Sequence, residues 1–308
     1  MTLTVEQKDI RYAAVVVTYN RKELVSRNIE AVLSQTFAVE KIIVVNNSST
    51  DGTSDYVKEK FGGNNKIEIY ELDNNYGGAG GFYYGLKYAV ECGYDRIILM
   101  DDDGRPYNDR CFERLIDAVS DEPIGSMLMV NSLVVCSDEK LTFGIKHSLA
   151  VSDAVSAATD NKVVGEINPF NGTLVSRSLT EKIGYPNKDF FIKGDEVDYY
   201  LRALSADAKV FTVTDSLYYH PAPIGMEQKR IMGKTVFLYA EPPFKEYYTV
   251  RNRTYALRCL NRKFDAFKFL MKNIARILLV KCKKRDIWRA MIKGYKDGKR
   301  GRLGKVNF

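Results

Sequence analysis

Asp101, Asp102 and Asp103 stand in a row behind the apolar run RIILM. Three adjacent carboxylates repel one another at neutral pH, so folding gains nothing from placing them side by side. A divalent cation relieves that repulsion. Oxygen ligands with no cysteine nearby suit Mg²⁺ or Mn²⁺ rather than zinc, and a Mg²⁺ held by one or two carboxylates usually also holds substrate phosphates. A second acidic cluster, Asp195, Glu196 and Asp198, lies in KGDEVDYYLRA. Crowding and burial raise a carboxylate's pKa, which suits such a group to general-base work. The alternative is a helix N-terminus carrying acids that match its dipole, with Arg202 one turn below Asp198 as a simple partner. The stretch NNYGGAGGF holds Gly77, Gly78, Gly80 and Gly81. It lacks the Lys-Ser/Thr of a P-loop and does not fit G-x-G-x-x-G. It reads either as a flexible strand-to-helix turn or as a place where backbone N–H groups approach a diphosphate or sugar closely.

The elements that must position these residues follow from hydrophobic period. YAAVVVTYN (12–20), KIIVVNNSS (41–49) and DRIILM (95–100) are near-continuous apolar runs, as expected of strands buried on both faces. KIEIYEL (66–72) alternates like a strand. Between them, ELVSRNIEAVLSQ, TDGTSDYVKEKF (capped by Thr50 or Asp51) and GGFYYGLKYAVECG (80–93) have helical spacing. Alternating strands and helices predict a mostly parallel α/β sheet with flanking helices. Each of these strands ends in polar residues: Thr18-Tyr19-Asn20, Asn46-Asn47-Ser48, Asp73-Asn74-Asn75 and the three aspartates. Any one polar end is explained by a turn. Four of them on one sheet edge mark the place where ligands bind in such folds.

In order and spacing, VVVTYNR, IIVVNNSSTDGT, ILMDDDGRP and FFIKGDEVDYYLRA resemble the inverting GT-A glycosyltransferases of family 2, over roughly residues 12 to 220. NNYGGAGGF and YYTVRN (247–252) look like the bacterial galactofuranosyltransferases within that family. The resemblance implies a GT-A α/β fold. It implies metal-dependent, inverting transfer of a hexose from a nucleotide sugar to a hydroxyl of a cell-surface glycan or lipid-linked saccharide. Galactofuranose from UDP-galactofuranose is the expected case, and rhamnose from dTDP-rhamnose the nearest alternative. A non-catalytic sugar-nucleotide-binding scaffold is the alternative of another class, and the intact aspartate run and acidic cluster argue against it.

The same resemblance assigns roles. Thr18, Tyr19, Asn20 and Arg21 would line the donor pocket, with Tyr19 against the base. Asn47 stands where many relatives carry Asp and would meet the nucleobase edge. Gly77, Gly78, Gly80 and Gly81, with Asp101 and Asp102, complete the donor side. Asp101 and Asp103 match D-x-D positions on Mn²⁺ or Mg²⁺, and His220 completes that metal site. Glu196 falls at the usual catalytic-base position, with Asp195 as its rival. Apart from the resemblance, the residues of RNRTY (251–255) offer Arg251 or Arg253 to an acceptor phosphate, although nothing in the spacing requires it.

Composition frames this reading. The chain has 308 residues, 45% of them apolar, enough for one large domain plus an appendage. Five scattered cysteines with no C-x-x-C pair indicate neither a disulfide framework nor a zinc site. The polar start MTLTVEQKDIRY carries no signal-peptide pattern and no apolar run is long enough to span a bilayer, so a cytoplasmic location is expected. The net charge of +7 is uneven. Residues 261–308 are strongly basic and hold only Asp265, Asp286 and Asp297 as acids, whereas the rest is mildly acidic. We therefore expect a transferase domain over 1–225 and a basic, mainly helical extension over 226–308. In that tail Phe264, Phe267, Met271, Ile274 and Leu278 recur at three- and four-residue steps. Such a helix either packs on the body or lies on the inner face of an anionic membrane. No recognition motif accompanies the charge, so nucleic acid is not expected as a partner.

Overall fold

The computed structural model describes residues 10–222, 227–231, 234–238, 241–280 and 284–307. The expected boundary between 225 and 226 lies outside them. The chain runs β1 (Tyr12–Thr18), α1 (Lys22–Leu33), β2 (Lys41–Asn46), α2 (Thr53–Phe61), β3 (Ile67–Glu71), α3 (Gly77–Glu91) and β4 (Arg96–Asp101). There follow β5 (Arg105–Pro106), α4 (Cys111–Asp117), β6 (Leu128–Ser137), β7 (Lys140–Ile145), β8 (Ser148–Ala150), α5 (Val151–Ser156) and β9 (Lys162–Val164). Then come β10 (Asn171–Ser176), α6 (Arg177–Ile183), α7 (Asp195–Ser205) and β11 (Lys209–Tyr219). A hairpin of β12 (Glu227–Ile231) and β13 (Lys234–Leu238) leads to α8 (Pro243–Cys259), α9 (Lys263–Leu279) and α10 (Lys284–Arg300).

Eleven described strands form one sheet whose main path runs β3-β2-β1-β4-β10-β6-β11-β5, with β7 on β6, β8 on β7 and β9 on β11, while β12 and β13 pair separately. The first four are parallel, as the strand–helix alternation requires. Beyond β4 the direction mixes: β10 runs antiparallel between β4 and β6, while β6 and β11 are parallel. Every residue of β1 is buried, because alternate side chains feed separate cores on the two faces. Ala14 and Val16 join Val25, Ile29 and Phe112 under α1 and α4. Ala13, Val15 and Val17 join Phe82, Leu86 and Tyr199 under α3 and α7.

Two helix starts differ from the sequence expectation. Helix α2 begins at Thr53, with Gly52 at φ 78° as its cap; Asp51 serves it from one residue further out, accepting from the Thr53 N–H at 3.1 Å. Helix α3 begins at Gly77 rather than Gly80, so the glycines belong to its first turns. Glycine propensity argues against a helix there, but close packing overrides it. A Cβ at Gly81 would collide with Val17, and one at Gly85 would approach Val15 and Val45 to 2.7 Å. The missing side chains let α3 lie directly on β1 and β2.

Helices α8, α9 and α10 share an apolar core of Val250, Ile277, Ile287 and Met291. Glu246, wholly buried on α8, pairs with Arg276 of α9. Gly294 and Gly298 of α10 face the backbone of α8, and a Cβ at either would strike the carbonyl of Tyr247 or Arg251. No described helix is long and apolar enough to cross a membrane.

Candidate active site

The carboxyl ends of β1 and β4 are adjacent in the sheet, which brings the TYNR segment to the aspartates. Thr18 is buried, and its hydroxyl donates to Asp102 Oδ2 at 2.8 Å. Arg21 Nη1 lies 2.9 Å from Asp102 Oδ1 and 3.1 Å from Asp103 Oδ2. The chain then turns into β5, which pairs with the end of β11, Tyr219 opposite Arg105. That pairing delivers His220 to the cluster, with Nε2 at 3.4 Å from Asp103 Oδ1. His220 Nδ1 lies 2.8 Å from the Pro221 carbonyl oxygen. A carbonyl only accepts, so Nδ1 carries a proton there; Nε2 donates to Asp103 when the ring is charged and has a lone pair for a cation when the ring is neutral.

The electrostatics separate the three aspartates. Asp101 is pushed up to about 8, first by burial and then by the charges of Asp103 and Asp102. Burial also raises Asp102, against Arg21 and Thr18. Burial acts upward on Asp103 too, but the hydrogen bond and charge of His220, with Arg21, bring it below the usual carboxylate range. Burial would depress the His220 imidazole; Asp103 outweighs it and raises the pKa. Among the described residues no three His, Cys or acidic side chains stand close enough to enclose a cation. Asp103 and His220 are paired, and Asp101 joins them through charge rather than contact. Two carboxylates and an imidazole are a donor set that suits Mn²⁺, and the unrelieved repulsion on Asp101 is what a cation would remove.

The second acidic cluster opens α7. Gly194, at φ 88°, caps the helix. Its N–H donates to Glu196 Oε2 at 2.8 Å, and Glu196 is half-buried. Asp195 is 5% exposed. Burial holds its pKa well above the carboxylate range, helped by the charge and hydrogen bond of Glu196 and by the charge of Asp101. The charge of Asp101 thus reaches Asp195, as the last of these effects. Asp198 is occupied by Arg202, at 2.9 Å, and belongs to the helix.

The loop before α7 is held by α8. Asn252 Nδ2 donates to the carbonyls of Phe190, Ile192 and Lys193 at 3.0, 3.0 and 2.7 Å. Arg251 donates to Phe190 O at 2.9 Å, to Gly304 O at 2.6 Å and to Asn252 Oδ1 at 2.8 Å. Both residues are fully buried. Phe191 and Lys193 sit at φ 66° and 64°, unusual for residues with a side chain, and this clamp holds them there. Arg251 is thus spent on backbone carbonyls and is not available to an acceptor phosphate. Arg253 lies near Glu196, whose charge it feels, and its Nε is buried without a hydrogen-bond partner. The role of Asn252 was missed in the sequence; its only signal there is its place in YYTVRN.

Tyr19 is 41% exposed at the mouth of the site. Asn20, at φ 53°, accepts from the Thr50 N–H at 2.7 Å and ties β1 to the loop after β2. Asn47 is buried: its amide donates to Gly77 O at 2.9 Å and its carbonyl accepts from the Tyr76 N–H at 2.9 Å. It shapes the turn into α3 rather than presenting its amide to a nucleobase. Of the four glycines, Gly77 abuts the Phe191 carbonyl at φ 69°, Gly80 abuts Tyr76 and Gly81 abuts Val17. Only Gly78 opens on free space. The other three are explained by packing rather than by ligand approach.

With an aspartate run at the sheet edge and an acidic pair at the head of α7, the chain is similar to sugar transferases. The description "Glycosyl transferase family 2" matches residues 13–141. Galactofuranosyltransferase GlfT1 of Mycobacterium tuberculosis is 31% identical over 252 residues, 79% of this chain and 81% of that protein. The dTDP-rhamnosyl transferase RfbF of Shigella flexneri is 25% identical, over 80% of this chain and 79% of that one. Among solved structures, the mannosyltransferase PcManGT of Pyrobaculum calidifontis, in complex with GDP-Man and Mn²⁺, superposes with a TM-score of 0.56 at 15% identity, over 99% of this chain and 79% of its own. The chain belongs to glycosyl transferase family 2, with the GT-A fold, and is an inverting glycosyltransferase.

Proposed function

We propose that this enzyme transfers galactofuranose from UDP-galactofuranose to a hydroxyl of a cell-surface glycan or lipid-linked saccharide, with a divalent cation. What supports the reading is the 31% identity to galactofuranosyltransferase GlfT1, together with the aspartate run at the end of β4 and the acidic pair at the head of α7. Thr18, Tyr19, Asn20, Arg21 and the backbone at Gly78 would receive the nucleotide. Asp101, Asp103 and His220 would hold Mn²⁺ or Mg²⁺, as the Mn²⁺ complex of PcManGT supports. When bound, the cation supplies neutralisation of the departing diphosphate.

Glu196 is the base of this reading, because it is the more accessible of the two, whereas burial and the charge of its neighbour raise the pKa of Asp195. Its carboxylate takes the proton of the acceptor hydroxyl. The acceptor oxygen bonds to the anomeric carbon while the bond to the diphosphate breaks on the opposite face, and configuration inverts.

The relation to RfbF favours dTDP-rhamnose as the second donor to try. Hydrolysis of a panel of nucleotide sugars, with and without Mn²⁺, tests the proposal. Turnover of UDP-galactofuranose well above the rest supports it, and preference for dTDP-rhamnose replaces it. Contact with the cytoplasmic face of a membrane is part of the same reading. Phe264, Phe267, Met271 and Leu278 of α9 are 69, 59, 46 and 58% exposed on one side of that helix, while Ile274 turns inward.

A further inference from the structure

The C-terminal helices also shape a groove that the donor chemistry does not use. It is an open groove of about 610 Å³ along α10. Arg289, Lys293, Lys296 and Arg300 recur at four-, three- and four-residue steps, so one helix face carries all four, and Arg302 joins them from the segment beyond. Asp297 is the one acid in the lining among the described residues. It already accepts from the Tyr247 hydroxyl at 2.9 Å and faces Arg302 at 3.9 Å. The floor is apolar, made by Tyr247, Ile292, Leu303 and Val306.

Of the five cations, Arg289 pairs with Asp286 at 3.7 Å, Arg302 faces Asp297 and Lys293 lies over the Tyr247 ring, while Lys296 and Arg300 make no ion pair among the described residues. The groove exists because Gly294 and Gly298 bring α10 against the backbone of α8. It also borders the clamp described above, since Gly304, between Leu303 and Val306, donates its N–H to Asp189 O at 2.7 Å and accepts from Arg251. Arginine and lysine side chains together recognise phosphate oxygens. A naked anion has no use for an apolar floor, whereas a phosphate carried on a lipid uses both parts.

We propose that this groove binds the phosphate headgroup of an anionic lipid. The inference rests on the reading of this chain as an enzyme that works at a membrane face. It adds a specific headgroup seat to the apolar ridge of α9.

The full chain can be sedimented with phosphatidylcholine vesicles, with and without phosphatidic acid, and compared with a Lys296→Glu/Arg300→Glu variant. Parent protein should pellet with the acidic vesicles, inorganic pyrophosphate should compete, and the variant should lose roughly tenfold or more in vesicle affinity. Far-ultraviolet dichroism and thermal melting check the fold. If the reversals unfold the chain, Lys296→Gln/Arg300→Gln takes their place. A Phe264→Ser/Phe267→Ser variant reports on the ridge: loss there with no loss in the groove variant overturns the groove. So does equal pelleting of parent and groove variant, or pyrophosphate binding without vesicle binding, which makes it a soluble-anion site. Equal competition by a DNA oligonucleotide marks unselective polyanion binding and overturns it as well. Donor hydrolysis in the same preparations reports separately on the transferase reading, so the two can fail independently.

Discussion

The side-chain amide of Asn252 lies 2.7 Å from the carbonyl oxygen of Lys193, two residues ahead of the acidic pair that opens α7. Through this contact and its neighbours, a helix of the C-terminal extension sets the position of the candidate base. Asn252→Asp keeps the shape and removes the donor. We expect kcat to fall by about 10²-fold, the cost of a small misplacement of a catalytic group, while donor affinity stays near that of the parent. Steady-state kinetics beside nucleotide calorimetry checks it. A loss shared equally by both, in step with the folded fraction, would make Asn252 a stabilising residue only.

The division of labour between Asp195 and Glu196 gives a second expectation. Glu196→Gln should bind donor normally and lose on the order of 10² to 10⁴ in transfer rate. Asp195→Asn should retain measurable transfer, because burial favours the neutral form of Asp195 and an amide is neutral too. Single-turnover assays with both variants decide the matter, and turnover by Glu196→Gln beside a dead Asp195→Asn reverses the assignment.

Asp103 is the acid that faces both Arg21 and His220. Asp103→Ala should abolish the Mn²⁺ dependence of nucleotide binding, and His220→Ala should weaken it. Calorimetric titration of nucleotide with and without Mn²⁺ measures this directly. Affinity that responds to Mn²⁺ equally in parent and Asp103→Ala removes Asp103 from the metal site.

The glycines of α3 separate packing from ligand approach. Gly81→Ala drives a methyl into Val17, and overpacking of this kind costs about 1–3 kcal/mol. Gly78→Ala meets nothing within 4 Å and should leave the melting temperature unchanged or raise it. If the donor approaches the backbone there, the same methyl raises the donor KM. Thermal melts and donor titrations on the two variants test both statements; a destabilised Gly78→Ala with an unchanged KM contradicts them.

Much of the fold was legible because its signals are local. The seven buried residues of β1 announce a strand covered on both faces, and the polar residues after β1, β2, β3 and β4 mark one edge once the strands are parallel. Residue type alone singled out the aspartate run and the acidic pair, because like charges gathered together need a reason. What the tertiary structure decided depends on strand order and direction, which leave no periodic trace in a single chain. The antiparallel pairing of β5 with β11 sets His220 against Asp103. The packing of α3 set Gly81 against Val17 of β1, Gly77 against the Phe191 carbonyl and Gly80 against Tyr76, and it turned Asn47 toward the backbone of Tyr76 and Gly77. The docking of α8 made Arg251 and Asn252 the support of a loop far away in sequence. Buried donors and acceptors must find partners wherever the chain closes on itself, and only the closed chain shows which ones they found.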